Sequence, residues 1–211
     1  MSSWSIFAIG FIAQLFFSAR LLLQWVLSEK AHKVVSPAIF WQLSIIGSFL
    51  LFVYGWVRDD FAIIFGQLIS YYVYIWNLNI QDNWKKINKI IRFVFVITTI
   101  SAIIYILSNW DYNFTRLFEN ENIPLTLLIY GSLGQLIFTL RFVYQWIYSL
   151  RRGESILPQG FWIISLIGSL IIISYAIYRH DPVLILGQCT GAFVYTRNLF
   201  IIRKSKLIHE K

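Results

Sequence analysis

Residues 10–30 read GFIAQLFFSARLLLQWVLSEK, and residues 131–151 read GSLGQLIFTLRFVYQWIYSLR. Each is a continuous apolar run of the length a membrane-crossing helix needs, about 20 residues. Each also carries an arginine with a glutamine four residues on: Arg20 with Gln24, and Arg141 with Gln145. That spacing puts the two polar groups on one helix face. Extended outward, residues 10–81 align with 131–202 without a gap, and 26 of the 72 positions are identical. Apolar positions drift among Leu, Ile, Val and Phe. The identical ones are disproportionately polar or special, among them Gln14, Pro37, Phe40, Trp41, Ser44, Gly47, Ser48, Arg58, Asp60, Gly66, Gln67, Tyr74 and Asn77. Their counterparts are Gln135, Pro158, Phe161, Trp162, Ser165, Gly168, Ser169, Arg179, Asp181, Gly187, Gln188, Tyr195 and Asn198.

Composition gives the class. Of 211 residues, 58% are hydrophobic and only 13% charged, half the usual share for a soluble domain. That is too little charge to coat a small water-soluble protein, so the expectation is an all-α integral membrane protein. Apolar runs predict seven transmembrane helices, over 4–28, 38–57, 61–80, 88–108, 124–149, 160–178 and 182–202. The runs are continuous rather than alternating, which argues against a membrane barrel. Each copy of the repeat takes three helices. The helix at 88–108 separates them and restores a common orientation, so the architecture is 3+1+3 with two same-orientation three-helix repeats. The division is 1–81 for the first repeat, 82–122 for the linker helix and an outer loop, and 123–211 for the second repeat with a basic tail.

Basic residues set the orientation. With the N-terminus outside, twelve fall inside: Lys30, Lys33, Lys85, Lys86, Lys89, Arg92, Arg151, Arg152, Arg203, Lys204, Lys206 and Lys211. Only Arg58, Arg116 and Arg179 fall outside. The net charge of +8 is thus a positive-inside signature rather than a nucleic-acid footprint. The single Cys189 and the unspaced His32, His180 and His209 provide no metal set, and no cofactor is expected.

Three basic residues remain, Arg20, Arg141 and Arg197, all expected to be buried. Arg20 lies about 15 Å along the helix axis from Lys30, in the inner-leaflet half, with no acid in any span core to pair with. An arginine there must snorkel, pair or face a wet cavity. One reading is an anion site in which guanidinium forks grip a phosphate or carboxylate and Gln24, Tyr74, Asn77, Gln145, Tyr195 and Asn198 add neutral hydrogen bonds. The other is snorkelling with interhelical hydrogen bonds. Gln14, Gln67, Gln135 and Gln188, nearer mid-membrane, either clasp neighbouring helices or line a cavity for a polar ligand. Arg58 with Asp60 and Arg179 with Asp181 tie the outer loops as ion pairs, or gate them. Gly66-x-x-x-Ser70 and Gly187-x-x-x-Gly191 read as close-packing faces. There is no nucleophile elbow, metal-binding histidine pair, phosphate loop or intramembrane carboxylate pair, so the chain is expected not to be an enzyme.

The string Arg20-x-x-x-Gln24-Trp25-x-x-Ser28-Glu29-Lys30, then Ser36-Pro37-x-x-Phe40-Trp41-x-x-Ser44, resembles the lipid A biosynthesis N-terminal domain family. So do Asp60-x-x-x-x-x-Gly66-Gln67 and Tyr74-x-x-Asn77-Leu78, and the second copy closes with Tyr195-Thr196-Arg197-Asn198-Leu199. That family is similar to the PQ-loop and SWEET transporters, whose SWEET-like members share the 3+1+3 plan. The resemblance implies the bacterial cytoplasmic membrane and a lipid A or envelope glycolipid context. Two departures stand out. Leu23 and Tyr144 stand where the PQ-loop proline would, and Gln67 and Gln188 fall near the sugar-lining asparagine of SWEET proteins. Trp76 stands at the first-copy position of Arg197.

Three functions are compatible with these residues. The first is a transporter-like protein, with membrane lipids as partners, binding an anionic lipid intermediate or its headgroup between the two bundles. Its site would use Arg20, Gln24, Gln67, Tyr74, Asn77, Arg141, Gln145, Gln188, Tyr195, Arg197 and Asn198. The second is a non-catalytic subunit of an envelope glycosyltransferase, and the third a stand-alone enzyme of lipid A synthesis. An oligomer is compatible with each.

Overall fold

The computed structural model describes residues 3–57, 61–108, 124–178, 180 and 182–209. Among these it holds seven α-helices and no strand. They are α1 (Ser3–Ala31), α2 (Ala38–Val57), α3 (Phe61–Ile80), α4 (Lys89–Ser108), α5 (Leu125–Arg152), α6 (Gln159–Tyr178) and α7 (Pro182–His209), with a 3-10 turn at Trp84–Lys86. All seven expected segments are helical. α2 and α3 have the expected bounds, whereas α1, α5 and α7 run on to Ala31, Arg152 and His209. The overrun is physical: a helix satisfies its own backbone hydrogen bonds past the end of an apolar run, and the basic residues of its last turn suit the dipole. Two described helical segments are long and apolar enough to cross a membrane, Ala8–Ala31 and Gln159–Tyr178, and Ala38–Tyr54 is a shorter apolar helix.

Helices touch in a cycle. α1 packs on α2, α2 on α3, α3 on α5, α5 on α6, α6 on α7, and α7 on α1, while α4 lies outside against α2 and α3. Exchanging the copies maps this cycle onto itself. Side-chain geometry repeats with it. Phe40 stands edge-on to Trp41 at 4.8 Å, and Phe161 to Trp162 at 4.9 Å. Trp41 meets Tyr74 at 6.0 Å, and Trp162 meets Tyr195 at 6.0 Å. These rings form the buried aromatic core beneath both copies.

Pro37 and Pro158 open α2 and α6, where a missing N–H costs nothing, and their carbonyls take the Phe40 and Phe161 amides at 3.0 Å. The turns before them differ in an instructive way. Gly153 caps α5 with φ +70°, and its counterpart His32 ends α1 at φ +51°. A side chain in that left-handed region costs about 1–2 kcal/mol. His32→Gly is therefore expected to stabilise the fold by about 1 kcal/mol, read as a higher midpoint in thermal unfolding in detergent.

Candidate site: a buried arginine pair inside a polar clasp

Arg20, Gln24 and Ser28 lie one turn apart along α1, and Arg141, Gln145 and Ser149 along α5. All six are buried. Gln24 Nε2 donates to Ser28 Oγ at 2.8 Å and to the Val35 carbonyl at 3.3 Å. Gln145 Nε2 does the same with Ser149 Oγ and the Ile156 carbonyl, both at 2.9 Å. The two serine hydroxyls then take the Val35 and Ile156 amides at 3.1 and 3.0 Å. Each loop is thus locked to the helix before it.

The same amides join the copies. Gln24 and Asn198 exchange hydrogen bonds at 2.9 and 3.1 Å across α1 and α7, and Gln145 and Asn77 do so at 2.9 and 3.1 Å across α5 and α3. Asn77 and Asn198 spend their remaining N–H on the Val73 and Val194 carbonyls of their own helices at 2.8 and 2.9 Å. Ser36 and Ser155, from the two loops, meet at 2.9 Å, and Ser155 also donates to Asn77 at 2.6 Å. Every buried amide here is satisfied, as burial demands. Gln145→Leu removes one hydrogen bond each from Ser149 and the Ile156 carbonyl and both exchanged bonds from Asn77. A loss of about 0.6–1.7 kcal/mol is expected, the range for intramembrane hydrogen bonds, measured as a drop in thermal midpoint.

The guanidinium groups are treated unequally. Arg20 is 4% exposed and Arg141 5%. Arg20 Nη1 donates to Ser44 Oγ at 2.7 Å and to the Tyr74 hydroxyl at 3.1 Å. Arg141 makes no hydrogen bond among the described residues, and its Nη1 is buried without a partner. Instead it stacks on Phe138 at 3.3 Å and on Phe142 at 4.5 Å. Arg20 lies over the same Phe142 ring at 5.4 Å. Two like charges therefore share one ring, and no carboxylate among the described residues pairs with either. Cation–π contact softens that burial but leaves Arg141's fork empty. Chemically this is a pair of buried guanidinium groups, one of them without a hydrogen-bond partner, a cationic layer suited to an anion that takes two hydrogen bonds from a guanidinium.

Several expectations change. Arg197 is not buried: its side chain is 49% exposed, and it forms a forked ion pair with Glu29 on α1. The acid comes from the end of α1, just past the span core, where α1 meets α7. Gln67 and Gln188 accept from Ser48 and Ser169 at 2.7 and 2.9 Å, so they clasp neighbouring helices within a copy. Gln14 and Gln135 are exposed, because the outer halves of α1 and α5 turn that face outward. The glycines of α7 do not show the expected close packing: a Cβ at Gly187 would meet nothing within 4 Å, and the three atoms nearest one at Gly191 belong to Tyr195 of its own helix. Backbone approaches closely at Gly168 instead, where a Cβ would lie 2.9 Å from the Cα and N of Phe138. The expected loop pairs Arg58–Asp60 and Arg179–Asp181 lie outside the described residues.

The structure places Arg20, Gln24, Tyr74, Asn77, Arg141, Gln145 and Asn198 of the expected set in one buried layer, with Tyr195 beside it. Comparison of the copies misses Phe142 because that position differs between them, being Leu21 in the first. No role is expected for Ser28 and Ser149 from the sequence, although their identity across the repeat marks them.

The chain matches the family described as Lipid A Biosynthesis N-terminal domain twice, over residues 9–79 and 130–200. It is 30% identical to the Lipid-A-disaccharide synthase of Chlamydia felis over 97% of its own length and 34% of that protein's. It is 31% identical to those of Chlamydia pneumoniae and Chlamydia caviae, over 95% and 96% of its length and 34% of theirs. The chain thus spans about a third of the length of these relatives. No solved structure matches it. Two matches that together span most of the described helices, each carrying one half of the arginine and amide layer, leave one assignment: the chain belongs to the lipid A biosynthesis N-terminal domain family.

Proposed function

We propose that the protein is a multi-pass protein of the bacterial cytoplasmic membrane that binds an anionic lipid intermediate of envelope glycolipid synthesis between its two repeats. The reading supposes seven spans arranged 3+1+3, the N-terminus periplasmic and the C-terminus cytoplasmic. Inverted polarity supports the insertion. Arg20, Arg141, Gln24, Gln145, Asn77 and Asn198 are buried while Ile90, Phe93, Ile104 and Leu107 of α4 lie open. Water would penalise both features, whereas hydrocarbon rewards the second and tolerates the first when it faces inward.

The observation that carries the binding reading is the unpartnered Arg141 guanidinium beside Arg20. An intramembrane arginine costs about 2.5–3.5 kcal/mol, and two without counter-ions persist as a pair because an anion repays them. The lipid phosphate would sit between Arg20 and Arg141, its chains leaving toward the bilayer. Rocking of the repeats about the amide clasps would carry it across. A liposome assay tests this by following a fluorescent phospholipid. Arg20→Ala with Arg141→Ala should abolish its movement, and unchanged movement rejects the mechanism.

A second reading is a docking subunit for an envelope glycosyltransferase. It is favoured by relatives named Lipid-A-disaccharide synthase, of which this chain matches only 34%. Co-purification of such an enzyme, and its loss of stability without this chain, supports that reading. A stable and active enzyme on its own opposes it.

A further inference from the structure

The repeats meet along two seams, α1 against α7 and α3 against α5, which the pseudo-two-fold exchanges. Their upper parts match. Each has its amide exchange, and each has an edge-on aromatic pair: Trp25 with Phe193 at 5.3 Å and 85°, and Trp146 with Tyr72 at 5.5 Å and 81°. One turn further the symmetry ends. On the first seam Glu29 accepts the Trp25 indole N–H at 2.9 Å and holds Arg197 across the gap. On the second, Leu150 and Trp76 replace Glu29 and Arg197. The Trp146 indole N–H is left buried with no acceptor. What this side gains is neutral, the Ser155 hydroxyl on Asn77.

We infer that the α3/α5 seam is the lateral portal through which a phosphorylated amphiphile enters from the bilayer, with the Trp146 N–H as the first donor its headgroup oxygens meet. The Glu29–Arg197 pair makes the α1/α7 seam the hinge. This rests on the arginine layer taking an anionic lipid. The physical case has two parts. A lipid keeps its chains in hydrocarbon, so its headgroup reaches a buried guanidinium only by parting one seam. Either opening breaks one amide exchange. Opening at α1/α7 also separates a forked ion pair, whereas opening at α3/α5 costs the neutral Ser155–Asn77 bond and gives an orphaned donor an acceptor.

Spin labels on equivalent positions of the two seams test it. In a Cys189→Ser background, one protein carries V26C with F200C, and a second N79C with I147C. All four sites are exposed, and the repeat makes the two pairs equivalent. Distances are measured in detergent, then in nanodiscs with and without phosphatidic acid. In detergent the 79–147 distribution should be the broader. With phosphatidic acid it should lengthen while 26–200 stays fixed, and Glu29→Gln should let both move. Equal widths in detergent, or a shift confined to 26–200, overturns the portal. Phosphatidic acid binding is measured in parallel. Its absence rejects the arginine reading, while the detergent widths still judge the seams. Trp146→Phe should weaken phosphatidic acid binding about fivefold, the worth of one hydrogen bond, and Trp25→Phe should leave it unchanged. Equal effects of the two substitutions contradict the role given to Trp146.

Discussion

Arg141→Leu is expected to weaken binding of a phosphorylated lipid by roughly 10- to 100-fold while making the protein more stable. Both halves of that result follow from one observation. Arg141 is buried, makes no hydrogen bond among the described residues and shares the Phe142 ring with a second cation. Replacing it by leucine removes a desolvated charge and its repulsion from Arg20, and leaves no partner orphaned. Swapping a buried ion for a well-packed apolar side chain is often neutral or stabilising by about 1–4 kcal/mol. Binding suffers because a hydrogen bond to a charged group contributes about 1.5–3 kcal/mol, and each 1.4 kcal/mol is tenfold. Arg20→Leu should behave differently. It strands the Tyr74 hydroxyl and breaks the bond to Ser44, so stability falls by about 1–3 kcal/mol as binding is lost. Thermal unfolding in detergent together with binding to phosphatidic acid vesicles separates the two. Equal destabilisation by both substitutions would make Arg141 a structural residue.

Gly168→Leu is expected to prevent accumulation of folded protein. A Cβ on Gly168 would lie 2.9 Å from the Cα, Cβ and N of Phe138 on α5. Backbone cannot rotate aside, so α5 and α6 must separate. Overpacking of this kind costs about 1–3 kcal/mol, and leucine adds bulk well past the first carbon. Gly168→Ala should be the milder case, with lower stability and weaker lipid binding, because Phe138 is the ring that carries the Arg141 guanidinium. Two glycines serve as controls. Gly47 faces the Phe17 ring at 3.0 Å, a side chain that can turn, so Gly47→Ala should cost less. Gly187 faces open space, and Gly187→Ala should change stability by no more than about 0.5 kcal/mol. The yield of folded Gly168→Leu, and the thermal midpoints of the three alanine variants in one detergent, give the order.

The contrast between Gly168 and Gly187 shows where sequence reading reaches its limit. Both glycines are identical across the repeat, and identity marks both as special. Small-residue spacing favours the α7 pair, yet close approach depends on where a neighbouring backbone runs, which spacing on one helix does not encode. The same holds for the polar layer. Repetition of Arg20, Gln24, Tyr74 and Asn77 in Arg141, Gln145, Tyr195 and Asn198 marks the layer directly, because apolar positions drift freely and these do not. Which amide meets which depends on the copies closing into a cycle, and no single copy carries that information. Asymmetric features are the least legible. Arg197 has no counterpart in Trp76, and Phe142 none in Leu21, so comparison of the halves is silent on them. Helix positions, by contrast, follow almost directly from the apolar runs, since only charge, proline and glycine interrupt them.

An anionic lipid held by the buried arginine pair should survive gentle purification. Mass spectrometry of lipids that stay bound to the gently purified protein tests it most directly. A phosphorylated lipid should be retained by the native chain and absent from Arg20→Leu with Arg141→Leu, with neutral and zwitterionic lipids unchanged between the two. The same lipids in the same amounts on both proteins would contradict it.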